Sequence, residues 1–352
     1  MPAAPLNDGD REALDGLRGF AALMVVASHA SNLGLHLIPG WSLSGIGKSG
    51  VYLFFVLSAF LLTQQWLVAS REQTHSARYA VGYLIRRFAR IYPLYVAILL
   101  TGWVLAPKGL GVPMDGAAVW THVTLREGRD VYWSVPVEFW YYLCIPPLAL
   151  VLRHVAGPAG WLATLLVLIG AAALTFPADA SPLNSINLGY YLPIFFAGSA
   201  AAWWQVRRPA LPAAPAAPEF RTPFADAIAL LALLLSVPSV LAVVGLNGSV
   251  DLLHREFLLW GLAWAILLTG VVRGWLPLWR HVLRLRGLRA CGHWCFGIYL
   301  LHMPSLLLMN KLGVSGTVGG WLGLALALLL AAVAHRLIEQ PFIRWGARAV
   351  RS

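Results

Sequence analysis

Apolar segments recur along the whole chain, separated by polar and often basic segments. Ten apolar runs of 18 to 22 residues each could, as helices, cross the roughly 30 Å hydrocarbon core of a bilayer. The ten runs are 14–33, 48–68, 88–106, 132–152, 159–176, 188–206, 224–245, 255–273, 293–311 and 318–338. This pattern predicts an all-α polytopic membrane bundle of about ten transmembrane helices. We expect one domain over 1–352, with no appended soluble domain.

The positive residues predict how this bundle is oriented. If the N-terminus is cytoplasmic and the runs alternate, the inner segments hold 20 Lys and Arg residues and the outer segments hold 6. Because positive residues favour the cytoplasmic side, both termini are predicted to be cytoplasmic. The net charge of +11 is then explained by basic residues that face the cytoplasmic leaflet of the lipid bilayer, so no nucleic-acid partner is needed to explain it.

Composition supports a membrane protein over a soluble one. The chain is 59% hydrophobic and 12% charged, which is about half the charged fraction of a typical soluble domain. Its mean hydropathy is +0.69. Residues 207–223 are rich in Pro and Ala and cannot form a regular helix, so they are predicted to be a cytoplasmic linker.

Arg18 and His29 are ionisable residues in the first apolar run. Arg18 is predicted near its inner end and His29 in its outer half, about 16 Å further along the helix axis. Ionisable side chains are costly within a membrane and suggest function. A neutral imidazole can take a proton from a hydroxyl near pH 7, as O-acylation requires. A structural histidine that hydrogen-bonds near the interface would explain the same position.

Arg87 and Arg90, in the segment RRFARIYPLYV, share one helical face because they are three residues apart. Two guanidinium groups so placed could bind the phosphates of a nucleotide-containing donor. Basic runs at a helix end more often act as membrane anchors, and this segment alone favours that interpretation.

Further candidates lie in the fourth and ninth runs. Glu138 could orient His29, bind a sugar hydroxyl or pair with an arginine. The stretch around it has Trp133, Ser134 and Tyr141, and aromatic rings either stack on sugars or form an interfacial belt. His302 lies in the middle of the ninth run.

Two other motifs carry no prediction of chemistry. Cys291, His293 and Cys295 lack a fourth ligand with usual spacing, so we predict no metal site. The segment GIGKSG follows no strand, and it departs from the phosphate-binding loop pattern.

Six stretches together resemble one family. They are LDGLRGFAALMVVASHA, SGVYLFFVLSAFLLTQ, RRFARIYPLYV, WSVPVEFWYYL, FGIYLLHMP and IEQPF, in this order between residues 14 and 342. Together they resemble acyltransferase family 3, the bacterial integral membrane enzymes that O-acylate surface glycans, and related antibiotic-modifying O-acyltransferases.

The resemblance implies roles for several residues. His29 would be essential for acyl transfer, and Glu138 would orient the histidine or the acceptor. Arg18, Arg87 and Arg90 would bind acyl-CoA, with acetyl-CoA the expected donor and no tightly bound cofactor. We expect Trp133, Ser134, Tyr141 and His302 to contact substrate.

The same resemblance implies a carbohydrate or glycoconjugate acceptor and a location in the bacterial inner (cytoplasmic) membrane. The sequence leaves open whether that acceptor is lipopolysaccharide, exopolysaccharide, peptidoglycan or a macrolide sugar. Ala59, Tyr52 and Pro136 depart from the family's usual pattern and bear on the acceptor more than on the reaction. A transporter or flippase of a glycan or lipid precursor also fits many spans with buried ionisable residues.

Overall fold

In a computed structural model the chain is helical over the described residues, with no strand among them. The structure describes residues 6–154, 184–207, 222–235, 237–243 and 257–350, with a few single positions between these ranges. The helices of the first half are α1 Asp8–Asn32, α2 Ile46–Val68, α3 Arg71–Thr74, α4 Ala77–Leu105, α5 Gly116–Val123 and α6 Ser134–His154. Those of the second half are α7 Leu192–Arg207, α8 Thr222–Leu235, α9 Pro238–Val243, α10 Phe257–Arg273, α11 Pro277–Leu283, α12 Arg286–His293, α13 Cys295–Lys311, α14 Gly316–Ala334 and α15 Gln340–Ala349.

Short turns of other helix types extend some of these elements. Three 3-10 turns occupy Ala106–Lys108, Asp130–Trp133 and Leu188–Tyr191, and a π turn at His335–Glu339 joins α14 to α15.

Within the described ranges, four helical segments are long and apolar enough to cross a membrane. They are Ile46–Val68, Ala77–Lys108, Asp130–His154 and Gly316–Ala349. A fifth is formed if α10 and α11, which meet at 88°, count as one broken span. The helical class is therefore confirmed, whereas the number ten stays a prediction. Most of the fifth predicted run and most of the predicted 207–223 linker fall outside the described residues.

Helix α1 is mostly buried and contacts α2, α10, α11, α12 and α13. It begins with a capping box, in which the Asn7 side chain accepts from the Asp10 N–H at 2.8 Å. Small residues then let its neighbours approach closely. A Cβ added at Gly16 would lie 1.7 Å from the carbonyl oxygen of Leu283, and one at Gly19 would lie 2.1 Å from that of Leu288.

The basic segment between the eighth and ninth predicted runs packs on α1 as two short helices, α11 and α12. Ion pairs hold it there, with Arg280 Nη2 2.7 Å from Asp10 Oδ1 and Arg289 Nη2 2.9 Å from Glu12 Oε1. Gly292 in α12 lies so close that a Cβ there would be 1.8 Å from the carbonyl oxygen of Asp15. The side of α1 that carries Asp15 and Gly16 is thereby fixed.

Helix α2 packs antiparallel to α1 and also contacts α7. Gly50 lies against the carbonyl of Ala21, and Gly198 of α7 lies against the carbonyl of Val56. Near the start of α2, the Gly45 N–H donates to Ser28 Oγ at 3.1 Å, one residue from His29. The residues around His29 are therefore packed in a fixed register against α2.

Candidate active site

Five helices, α1, α2, α4, α6 and α13, surround a cavity of about 430 Å³. Apolar side chains form most of its wall. The charged residues that border it are four arginines and two carboxylates: Arg11, Arg18, Arg87, Arg90, Asp15 and Glu138. The cavity therefore has an excess of positive charge and suits an anion.

Helix α4 supplies two of these arginines from one face, as the three-residue spacing predicts, and α1 supplies Arg18. Arg90 lies near enough to both Arg18 and Arg87 to repel them electrostatically. Arg18 pairs with Asp15 at 3.2 Å, which offsets part of that repulsion. The Nε of Arg87 is buried and finds no hydrogen-bond partner in the described part of the chain. Clustered cations of this kind are stabilised by a multivalent anion such as a phosphate group.

Glu138 borders the same cavity. It accepts a hydrogen bond from Ser58 Oγ at 2.5 Å and is hydrogen-bonded to Tyr142, which also borders the cavity. Ser134, one helical turn earlier, donates to the Tyr299 hydroxyl at 2.9 Å. The structure thus brings Glu138 and Ser134 together with the predicted arginines.

Two predicted substrate contacts lie within the protein core. The ring of Trp133 is buried 5.1 Å from that of Tyr191, and the Lys48 ammonium lies 4.1 Å from its centre. Tyr141 is fully buried between α6 and α7, where it stacks on Phe195 and shares a 2.7 Å hydrogen bond with Ser199. These contacts are those of packing residues.

The two histidines of the first and ninth apolar runs are neighbours. The ring centres of His29 on α1 and His302 on α13 lie 5.1 Å apart. Tyr299, whose ring centre is 6.1 Å from that of His302, also borders the arginine cavity. Tyr299 therefore adjoins both the cavity and the histidine pair.

Asp130 is a candidate site residue that the sequence did not reveal. It lies in electrostatic range of His29, at the start of the 3-10 turn that precedes α6. Its φ of +48° is uncommon for a residue other than glycine, and such conformations cluster at functional sites. Asp130 also borders a second, mainly apolar cavity of about 370 Å³.

The loop before Asp130 is ordered by its own hydrogen bonds. The buried ring of His122 accepts from the Arg129 N–H through Nε2 at 2.9 Å. Hydrogen bonds from Thr121 and Arg129 hold the pKa of the Glu127 carboxyl below its usual value. Apart from an acidic residue next to a predicted span, no sequence signal marks Asp130, because these contacts form only in the folded loop.

One known protein family matches most of the chain. The sequence profile of acyltransferase family 3, described as an acyltransferase domain, matches residues 11–336. The chain belongs to this family. The match extends from the start of α1 into the π turn after α14, so it includes both histidines and all the cavity arginines.

Individual relatives are more distant. The chain is 26% identical to the acyltransferase MdmB of Streptomyces mycarofaciens over 51% of its own length and 52% of the relative's. It is 28% identical to nodulation protein 10 of Rhizobium leguminosarum bv. viciae, over 44% of its own length and 48% of the relative's. A putative membrane-bound transacylase, BcsY of Komagataeibacter xylinus, is 30% identical over 41% of this chain and 39% of its own. The alignments thus span about half the length, or less, of these curated relatives. No solved structure matches.

Proposed function

We propose that this protein is a membrane O-acyltransferase of the bacterial cytoplasmic membrane. It would move a short acyl group, acetyl being the expected one, from acyl-CoA on the cytoplasmic side to a hydroxyl of a carbohydrate-type acceptor. The observation that carries this proposal is the arrangement along α1. Arg18, near the middle of α1, borders an arginine-lined cavity, and His29 lies about 16 Å further along the helix.

The donor's phosphates suit the cavity formed by Arg18, Arg87 and Arg90. The thioester stands at the end of a long flexible arm, so the phosphates can stay in the cavity while the acyl group extends along α1 towards His29. Tyr299 lies on that route, because it borders the cavity and is close to His302.

The transfer itself needs one base. A nitrogen of His29 takes the proton of the acceptor hydroxyl while its oxygen attacks the thioester carbonyl. The new C–O bond forms, the C–S bond breaks, and the protonated His29 returns its proton to the leaving thiolate. Transfer through an acyl-histidine uses the same residue and gives the same products.

The acceptor is proposed to approach from the Asp130 side. Asp130 and Lys48 are the charged groups that act electrostatically on His29, and Lys48 also lies over Trp133. Carboxylate and ammonium groups together are suited to binding sugar hydroxyls. The relatives with acyltransferase or transacylase names favour transfer over transport.

Replacement of His29 tests the proposal. Membranes that contain the protein should transfer label from [acetyl-¹⁴C]acetyl-CoA to acceptor glycan, and His29→Ala should reduce this transfer at least 100-fold at equal protein level. His281→Ala, a change at an exposed histidine of α11, is the matched control and should retain activity. Near wild-type turnover by His29→Ala would contradict the assignment. Movement of glycan without labelled product would favour the transporter.

A further inference from the structure

The hydrogen bonds of His302 fix its tautomer. Nδ1 faces two backbone carbonyls of its own helix, those of Tyr299 at 2.7 Å and Ile298 at 3.3 Å. A carbonyl oxygen can only accept, so Nδ1 carries the hydrogen. In the neutral ring Nε2 is then a hydrogen-bond acceptor.

That acceptor is buried without a partner. His302 is fully buried, and its Nε2 has no hydrogen bond to any described residue. Because Nδ1 is turned towards the backbone of α13, Nε2 lies on the opposite edge of the ring and points away from that backbone. A buried polar atom left unpaired is unfavourable and calls for an explanation.

The neighbouring ring of His29 offers a hydrogen-bond partner for this Nε2. Two imidazoles joined by one N–H···N hydrogen bond have ring centres about 5 Å apart, from the ~2.9 Å bond and ~1.1 Å within each ring. The ring centres of His29 and His302 are 5.1 Å apart, with a 53° angle between the ring planes. A rotation of the half-buried His29 ring can therefore form this bond with little displacement of α1 or α13. Catalytic hydrogen bonds are often loose before substrate binds.

We propose that His302 is a positioning residue for His29, an inference that rests on the proposed acyl transfer. Its Nε2 accepts the N–H of one His29 nitrogen and thereby leaves the lone pair of the other nitrogen for the acceptor hydroxyl. When His29 takes up the proton, both of its nitrogens carry hydrogen, and Nε2 of His302 keeps the same bond to the charged ring. His302 itself neither gains nor loses a proton.

The other charged neighbours of His29 do not supply this acceptor. Lys48 is a donor only. Asp130 has an exposed side chain at the surface of a separate cavity, and it acts on His29 as a charge. His302 is the neighbour with a buried, fixed and unpartnered acceptor.

Three substitutions at position 302 separate this role from packing. Gln places its terminal polar atom near the position of Nε2, whereas Asn reaches only the position of Nδ1, and Phe fills the space without an acceptor. Purified His302→Asn and His302→Phe should lose 10- to 100-fold in kcat with KM for acetyl-CoA within twofold of wild type. His302→Gln should recover most of the lost kcat.

A second measurement does not depend on turnover. Diethyl pyrocarbonate carbethoxylates neutral histidine, and mass spectrometry of the Arg18–His29 peptide region reports its rate at His29. That rate should fall several-fold in His302→Asn and recover in His302→Gln. Should the wild type transfer no acyl group, the proposed function fails, and this rate still tests the histidine pair.

Two results would overturn the proposal. One is a wild-type kcat in His302→Asn and His302→Phe. The other is a loss of kcat that Gln fails to rescue while carbethoxylation of His29 proceeds at the wild-type rate, which would make His302 a packing residue.

Discussion

At the scale of single residues, two carboxylates near the site have different surroundings. Asp130 acts electrostatically on His29 from a strained loop, whereas Glu138 borders the arginine cavity and accepts a hydrogen bond from Ser58. From the sequence, Glu138 was the candidate for orienting His29. In the structure its hydrogen bonds go to Ser58 and Tyr142. We therefore expect Asp130 to influence proton transfer and Glu138 to influence donor binding.

Neutral substitutions distinguish these roles. Asp130→Asn removes a charge that favours protonated His29, so kcat should fall about 5- to 10-fold while KM for acetyl-CoA stays unchanged. Glu138→Gln should chiefly alter KM for acetyl-CoA, because it changes the charge balance of the cavity. Steady-state kinetics on the purified variants measures both. A change in KM from Asp130→Asn, with kcat unchanged, would assign Asp130 to donor binding.

The arginine cavity allows a test with a control in the same helix. Arg87→Ala or Arg90→Ala removes a charge-assisted hydrogen bond of about 1.5–3 kcal/mol to a phosphate, so KM for acetyl-CoA should rise about 10- to 100-fold. Arg86 is next in the sequence but does not border the cavity, so Arg86→Ala should leave KM within threefold. Equal changes in KM from Arg86→Ala and Arg87→Ala would indicate that the segment is a membrane anchor.

At the scale of elements, the contact between α1 and α12 fixes the part of α1 that borders the arginine cavity. Gly292 fits only because it has no side chain, since a Cβ would lie 1.8 Å from the carbonyl oxygen of Asp15. Asp15 is the ion-pair partner of Arg18. Packing at Gly292 is therefore linked to the position of a cavity arginine.

The same short helix supplies a matched pair of glycine substitutions. Gly292→Ala forces α12 away from α1 and should lower the unfolding temperature in detergent by several degrees. Gly287→Ala meets nothing within 4 Å and should be neutral or stabilising by up to about 1 kcal/mol, because Ala favours a helix. Thermal unfolding followed by tryptophan fluorescence compares them. An equal loss in both variants would show that backbone freedom in α12 matters more than its contact with α1.

At the scale of the whole molecule, segments that the charge pattern assigns to the same side of the membrane contact one another. Arg280 and Arg289 contact residues near the N-terminus, and Val350 packs against Gly82. Lys311 Nζ donates to the carbonyl of Lys108 at 2.7 Å, and both residues were predicted on the outer side. The two sets of segments therefore cluster separately, and which set faces the cytoplasm stays a prediction.

Reporter fusions determine that orientation. Alkaline phosphatase fused after residue 113 should be active, because that loop is predicted outside, whereas fusions after residues 76 and 350 should be inactive. Green fluorescent protein at the same three positions should give the opposite pattern. Phosphatase activity after residue 350 would contradict the cytoplasmic C-terminus.

The sequence by itself determined the helical class and which residues are costly to bury. Apolar runs and their basic ends depend on local composition, and the spacing of Arg18 from His29, or of Arg87 from Arg90, fixes their relation within one helix. The six stretches that indicated the family are likewise read directly from the sequence. These properties need no knowledge of neighbouring helices.

Only the tertiary structure decided what lies between helices. It showed that the basic segment around Arg280 packs on α1, that Asp130 approaches His29 and that His302 lies beside it. Residues far apart in the sequence meet because of how helices pack and how one loop is hydrogen-bonded, and no local pattern encodes such pairs. His29 was therefore identifiable from the sequence as a costly residue, whereas its surroundings were not.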